Sequence, residues 1–135
     1  MEFVDTNVFV RYITQDDADR GPRALEYFGA LEDGPPRATT TEAIVAEVVY
    51  VIGPKTLYGL SRTRVADELA TLLTLPGFLF EHRSAMLRAL DIYGATTVDF
   101  PDALVVAHAE RIGADAIVSF DRDYDRFPSV TRREP

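Results

Sequence analysis

Short apolar segments with strand character alternate with amphipathic helical segments along the whole chain. Apolar stretches predict strands at 2–5, 37–40, 78–81 and 116–119. Six helices are predicted, of which three span Asn7–Gln15, Ser84–Tyr93 and Pro101–Ile112. Another begins at Pro22 and ends before Asp33, and one capped by Ser61 ends before Pro76. The sixth opens with a capping box at Thr39-Thr-Thr-Glu42 and ends at Ile52. This alternation is typical of an α/β domain with a mostly parallel sheet and helices on both faces. In such sheets ligands bind at the carboxyl ends of the strands.

Length and composition predict one globular domain over residues 1–135. The apolar share of 47% is sufficient for a hydrophobic core. No apolar run approaches the length of a membrane span, and the first residues lack the layout of a signal peptide, so we expect no membrane association. The absence of cysteine excludes disulfides and thiolate metal sites and is typical of a reducing, cytoplasmic location.

Four acidic residues stand where a strand passes into a helix or on a helix face predicted to be buried. Asp5 and Asp121 follow strands, Glu47 shares a helix face with apolar residues, and Asp102 lies on the inner face of a first helical turn. Converging carboxylates repel each other unless a cation lies between them, and Mg²⁺ prefers oxygen ligands. The sequence therefore predicts a divalent-metal site at the rim of the sheet.

Each acid also has a simpler interpretation. Asp5 is suited to cap the following helix, and Asp102 is favoured by the dipole at its helix start. Glu42 is explained by the capping box, so Glu47 is preferred to it as a site residue. Asp123 is a candidate helper beside Asp121.

The acidic run from Asp121 resembles a calcium loop only at its opening. Arg126 stands where such a loop needs glycine, and Arg132 stands where it needs glutamate. His82 and His108 have no cysteine or second histidine at metal-ligand spacing and are predicted to be structural. A calcium loop and a histidine-based metal site are therefore not predicted.

The net charge of −8 is unfavourable for binding nucleic acid, yet the cations are almost all of one kind. Of fourteen basic residues, all but Lys55 are arginines. Arginine binds phosphate in a bidentate manner and stacks on bases. Arg11, on the helix after Asp5, is the candidate phosphate contact.

The four acids lie in stretches that occur in a characteristic order. These stretches are Phe-Val-Asp5-Thr-Asn-Val-Phe-Val-Arg-Tyr, Glu47-Val-Val-Tyr-Val-Ile, Asp102-Ala-Leu-Val-Val-Ala-His-Ala and Val-Ser-Phe-Asp121-Arg-Asp-Tyr-Asp-Arg-Phe. In this order and spacing the chain resembles PIN-domain proteins, and specifically the VapC-type toxins of bacterial toxin–antitoxin pairs. Ser119 stands where the family often has threonine, and it keeps the hydroxyl.

The resemblance implies a three-layer α/β/α fold with a central, mostly parallel sheet of about five strands. It implies that Asp5, Glu47, Asp102 and Asp121 bind Mg²⁺ or Mn²⁺, with Asn7 and Ser119 as polar supports and Asp123 as a fifth acid. It further implies an endoribonuclease that cleaves RNA, forms a homodimer and is silenced by a cognate VapB-like antitoxin. The expected chemistry is attack on a phosphodiester by water that the metal has activated.

Two other functions remain as alternatives. A receiver-like phosphoacceptor domain also gathers acids and Mg²⁺ at the rim of a parallel sheet. It needs a lysine at the site, and Lys55 directly follows the helix stop at Gly53-Pro54. A non-catalytic RNA- or protein-binding regulator with the same fold is the other alternative.

Overall fold

The computed structural model describes residues 1–135 and contains six α-helices, four two-residue β-strands and a short 3₁₀ helix. The helices are α1 (Thr6–Thr14), α2 (Arg20–Gly29), α3 (Glu42–Ile52), α4 (Arg62–Leu73), α5 (Arg83–Ala95) and α6 (Phe100–Ile112). The strands are β1 (Glu2–Phe3), β2 (Ala38–Thr39), β3 (Ile117–Val118) and β4 (Arg132–Arg133), and the 3₁₀ helix is Arg122–Arg126. The predicted α/β class and the six predicted helices are confirmed.

All strand pairing in the structure is parallel. β1 pairs with β2, Ala38 of β2 forms a further bridge with Phe78, and β3 pairs with β4. The named strands form two separate two-stranded sheets. The structure therefore does not show the central sheet of about five strands that the resemblance implied.

The strands are short because some neighbouring residues lack a backbone N–H and because a backbone carbonyl next to β1 accepts a hydrogen bond from a side chain. Pro35 and Pro36, just before β2, have no backbone N–H to donate to a partner strand. After β2, the hydroxyl of Thr40 donates a hydrogen bond of 2.8 Å to the carbonyl of Val4. In the segment predicted to be a strand at 78–81, only Phe78 forms a bridge.

Two details of the helix starts differ from prediction. The N-cap of α3 is Thr41, whose hydroxyl accepts a hydrogen bond of 3.3 Å from the N–H of Ile44. The capping box predicted from Thr39 to Glu42 is therefore wrong, because Thr39 belongs to β2. α2 begins at Arg20, two residues before Pro22. Ser61 caps α4 as predicted and accepts 3.2 Å from the N–H of Arg64.

The apolar faces of the helices meet in one core of 33 buried residues. Phe9 of α1 packs against Phe28 of α2 and against Phe78, with ring centroids 5.3 and 6.1 Å apart. α5 packs against α4 and α6, and α3 contacts both α1 and α6. α3 thus links the helix that follows Asp5 to the helix that carries Asp102. No helix combines the length and the apolar character that crossing a membrane requires.

Candidate metal centre

Three carboxylates converge at the start of α6. An oxygen from each of Asp102, Asp121 and Asp123 lies within 4.8 Å of the other two. Asp102 stands in the first turn of α6 after Pro101, and the other two follow β3 and begin the 3₁₀ helix. Two oxygens that share one Mg²⁺ lie roughly 3–4 Å apart, so the three side chains are spaced to reach a common ion.

The loop after β3 is shaped by its own polar side chains. Ser119 accepts a hydrogen bond of 3.0 Å at Oγ from the N–H of Asp121. Asp121 in turn accepts 2.9 Å at Oδ1 from the N–H of Asp123, which caps the 3₁₀ helix. Arg132 donates 3.0 Å to the carbonyl of Ser119 and 3.0 Å to Asp125 Oδ1. Oδ2 of Asp121 keeps no hydrogen-bond partner and remains available as a ligand.

The carboxylate of Asp102 is only partly exposed and has one hydrogen-bond donor. The phenol of the buried Tyr124 donates 3.1 Å to its Oδ1. Burial raises the pKa of Asp102, the bond from Tyr124 opposes this, and the charges of Asp121, Asp99 and Asp123 raise it further. Burial and the adjoining Asp102 raise the pKa of Tyr124 to about 12, so the phenol stays a donor at neutral pH.

These observations test whether a divalent cation fits the site. The donor set consists of carboxylate oxygens without sulfur or imidazole, as hard cations such as Mg²⁺ and Mn²⁺ prefer. Burial first, and then the neighbouring negative charges, raise the pKa of Asp102, so its ionised form is disfavoured by desolvation and by repulsion. A bound cation removes that repulsion, so the residues fit the ion.

Asp5 and Glu47 lie outside the cluster of three and line another pocket together. This pocket has a volume of about 290 Å³ and also includes Thr6, Asn7 and Arg11. Thr6 donates a hydrogen bond of 2.7 Å from Oγ1 to Oε2 of Glu47, which joins the start of α1 to the middle of α3. Glu47 is exposed, so it lies at the solvent edge of the apolar face of α3 and not within the buried face predicted for it.

Asp5 occupies the N-cap position of α1, but its side chain accepts no capping hydrogen bond. Asp5 is therefore the N-cap residue by position, as the simpler interpretation had it, but its carboxylate does not cap the helix. The N–H of Val8 bonds instead to the backbone carbonyl of Asp5 at 3.1 Å. An exposed carboxylate that has no hydrogen-bond partner in the protein is free to bind a cation.

Arg11 lines the same pocket, but its guanidinium is already held. Nη1 donates to both oxygens of Asp16 at 2.9 and 3.0 Å and lies 3.3 Å from the hydroxyl of Tyr58. These contacts raise the pKa of Arg11, with the bond to Tyr58 as the largest cause. The Nη2 group has no partner and is the donor that remains for a phosphate.

The histidines are placed by contacts that their spacing in the sequence does not reveal. Nε2 of His108 lies 2.7 Å from Oε1 of Glu42, so α6 is tied to the first residue of α3. The ring of His82 packs edge-on against that of His108 at 5.7 Å. Glu42 thus has a structural role, but in a hydrogen bond with His108 instead of the predicted capping box.

Two residues of this region were missed by the sequence analysis. Thr6 orients Glu47, and Tyr124 orients Asp102. Thr6 directly follows Asp5, and Tyr124 lies within the acidic run 121–125, so proximity to the acids was the available signal. Nothing in the local sequence indicates which acid either hydroxyl contacts.

The sequence model of the PIN-domain family matches residues 3–130, which is almost the whole chain. The chain therefore belongs to the PIN-domain family. Proteins of this family are generally nucleases that depend on divalent metal ions bound by acidic residues. No curated protein matches the chain.

Proposed function

We propose that this PIN domain is an endoribonuclease that depends on Mg²⁺ or Mn²⁺ and acts as the toxin of a toxin–antitoxin pair. The observation that carries the proposal is the convergence of Asp102, Asp121 and Asp123 within 4.8 Å at the start of α6. The four ordered motifs that resemble VapC-type toxins supply the toxin role. They also suggest a cytoplasmic homodimer and a VapB-like antitoxin as partner.

The metal ligands in this proposal are Asp5, Glu47, Asp102 and Asp121, with Asp123 as a fifth acid. The bond from Thr6 to Glu47 and the bond from Tyr124 to Asp102 support it, because each holds one acid in a defined orientation. α3 contacts both α1 and α6, so it is the element able to bring the two groups of acids to one centre.

A divalent cation held there supplies positive charge to the phosphate and makes an attacking water more acidic. The chain's own residues hold and orient the reacting groups. Tyr124 and Ser119 keep Asp102 and the Asp121 loop in place, and Asn7 lines the pocket beside Asp5. In this proposal the phosphate contact is Arg11, whose Nη2 has no hydrogen-bond partner in the protein and which lines the pocket of Asp5 and Glu47.

RNA cleavage by the purified protein tests the proposal. We expect cleavage of single-stranded RNA in Mg²⁺ or Mn²⁺, none in EDTA, and loss of activity in Asp5→Asn and Asp102→Asn with unchanged circular dichroism. Asp115→Asn is the matched control, because Asp115 is exposed and its side chain forms no hydrogen bond or ion pair. Full activity in EDTA, or in either site variant, contradicts the proposed mechanism.

Expression in cells tests the toxin role separately. The wild-type protein is expected to arrest growth when produced alone, and Asp102→Asn is expected to relieve the arrest. RNA cleavage in vitro without growth arrest contradicts the toxin role and leaves the nuclease standing. RNA binding without cleavage favours a non-catalytic regulator. A receiver-like domain loses its support, because the chain belongs to another family.

A further inference from the structure

A pocket rich in arginine lies between α1 and α2, next to the pocket of Asp5 and Glu47. It has a volume of about 510 Å³ and is lined by Arg11, Arg20 and Arg23 together with Asn7, Val8 and Tyr27. The whole chain has a net charge of −8, yet every charged residue that lines this pocket is an arginine. Each arginine has an aspartate beside it, but only Arg11 is held tightly, at 2.9 Å from Asp16, so Arg20 and Arg23 are the positive groups left for an anionic ligand.

Two of these arginines are only weakly engaged within the protein. Arg20 Nε lies 3.9 Å from Asp17 Oδ2, beyond hydrogen-bond distance, and Arg23 Nη1 lies 3.4 Å from Asp19. The two side chains are 67% and 73% exposed, so their ion pairs contribute little and are easily exchanged. Each guanidinium has five N–H donors, and most of them are free.

The two oxygens of Asp17 have different partners, because Oδ1 bonds to the backbone and Oδ2 lies 3.9 Å from Nε of Arg20. Its Oδ1 accepts hydrogen bonds of 3.0 and 2.8 Å from the N–H groups of Asp19 and Arg20. These two hydrogen bonds lower the pKa of Asp17, and the bond from the N–H of Arg20 is the largest cause. Asp17 therefore shapes the start of α2 through Oδ1 and pairs only loosely with the guanidinium of Arg20 through Oδ2.

The arginine-rich pocket adjoins the carboxylate pocket. Asn7 and Arg11 line both of them. A polymer whose scissile phosphate lies beside Asp5 and Glu47 is therefore positioned to place a neighbouring phosphate beside Arg20 and Arg23.

One wall of the pocket is aromatic and neutral. The phenol of Tyr27 donates a hydrogen bond of 2.9 Å to Glu2 Oε2, and its ring packs edge-on against Phe28 at 5.6 Å. Burial, together with Glu2, raises the pKa of Tyr27 to about 12, so the side chain carries no charge at neutral pH. A fixed aromatic ring beside arginines is the arrangement on which nucleic-acid bases stack.

We propose that the pocket between α1 and α2 binds one nucleotide of single-stranded RNA next to the cleaved bond, with its phosphate on Arg20 and Arg23 and its base against Tyr27. The inference rests on the proposed nuclease function and adds to it the path of the substrate. The planar guanidinium suits a phosphate, which it binds in a bidentate manner. Flexible single-stranded RNA is able to bring both a phosphate and an unstacked base into the pocket.

Binding of a short fluorescent RNA without metal tests the inference apart from cleavage. Anisotropy is measured in EDTA for the wild type, for Arg20→Ala/Arg23→Ala, and for Arg111→Ala/Arg133→Ala as a control with the same loss of charge. The side chain of Arg111 forms no hydrogen bond or ion pair, and that of Arg133 bonds only to the backbone of Glu134. We expect about tenfold weaker binding and a shallower salt dependence for the first pair alone. Equal affinities of the two double variants overturn the inference.

Three further results separate the inference from the proposed function. In Mg²⁺ the Arg20→Ala/Arg23→Ala variant is expected to raise KM and to retain kcat, and an unchanged KM overturns the inference. A wild type that binds RNA through these arginines but does not cleave it supports the pocket and contradicts the nuclease. If an acidic peptide binds through Arg20 and Arg23 while the binding of RNA does not depend on them, the inference is overturned and the pocket is assigned to a protein partner.

Discussion

The phenol of Tyr124 donates a hydrogen bond of 3.1 Å to Oδ1 of Asp102 and so joins the 3₁₀ helix to the first turn of α6. The ring of Tyr124 is buried, which leaves its hydroxyl little freedom to move. The same 3₁₀ helix begins beside Asp121 and includes Asp123. One hydrogen bond therefore couples the three acids of the cluster into a single unit.

Loss of this hydrogen bond is expected to weaken metal binding. Tyr124→Phe keeps the buried ring but leaves Asp102 without its donor, so the carboxylate is less well oriented and its pKa rises further. We expect Mg²⁺ to bind about tenfold more weakly, as is usual when a residue that orients a metal ligand is removed. The Mg²⁺ concentration that gives half-maximal cleavage measures this.

The control for that experiment is Tyr50→Phe, because the side chain of Tyr50 is 76% exposed and its hydroxyl has no partner. In Tyr124→Phe the acidic limb of the pH–rate profile is also expected to move to higher pH. A variant with wild-type Mg²⁺ dependence and an unshifted profile contradicts the role given to Tyr124.

Removal of the charge of Asp102 is expected to stabilise the metal-free protein while it abolishes cleavage. The folded state raises the pKa of Asp102, so the favourable contribution to folding is present at low pH and is lost as the pH rises through that pKa. Asp102→Asn should therefore have a higher Tm than the wild type at pH 7 in EDTA.

The difference in Tm is expected to shrink below about pH 4, where aspartates are protonated in both folded and unfolded chains. Thermal unfolding at several pH values measures it, and Asp115→Asn serves as the exposed control. A Tm for Asp102→Asn below that of the wild type at pH 7 would contradict the raised pKa of Asp102 in the folded protein.

Glu42 and Glu47 lie on the same helix and are expected to respond in opposite ways. Glu47→Gln should lower the cleavage rate about 100-fold, as expected for loss of one charged group at an active site. Glu42→Ala should leave cleavage intact and lower the free energy of unfolding by about 1 kcal/mol, because it removes the hydrogen bond to His108. Cleavage assays and urea unfolding of both variants check this, and loss of cleavage in Glu42→Ala would assign the site to the wrong glutamate.

The hydroxyl of Tyr58 is expected to control the ionisation of Asp16. Hydrogen bonds from Tyr58, Thr14 and Arg11 lower the pKa of Asp16 to about 2, with the bond from Tyr58 as the largest cause. The stability that this ionised group contributes is present above its ordinary pKa and is lost as the pH falls toward 2. Tyr58→Phe should move the pKa of Asp16 upward, which a carbon NMR titration of the carboxyl group measures, and an unchanged pKa would exclude Tyr58 as the cause.

The helices of this protein could be predicted from the sequence because their signals are local. Apolar residues three and four positions apart define the buried face of each helix, and Ser61 caps α4 as its position indicates. The alternation with short apolar segments also predicts parallel pairing correctly. Strand extent was not predictable in this way, because β4 consists of Arg132 and Arg133 and carries no apolar alternation.

The acids of the candidate site could be found because each lies at a strand end or on an unexpected helix face. Which acids converge depends on contacts between residues far apart in the chain. Asp102 is brought to Asp121 and Asp123 by the packing of α6 beside β3, whereas Glu47 is joined to Thr6 across 41 positions. The local spacing of residues does not indicate such contacts, since the same residues are compatible with many arrangements of helices.

The clearest example is Glu42, for which the local pattern of a capping box was complete and yet misleading. The chain enters β2 before α3 begins, so Thr39 is held by the parallel pair and Thr41 takes the N-cap position. Glu42 is then free to meet His108, 66 positions later in the chain. Residue types and periodicity are sufficient to specify the helices and the chemistry of the acids, while the burial of helix faces against one another selects the partner of each side chain.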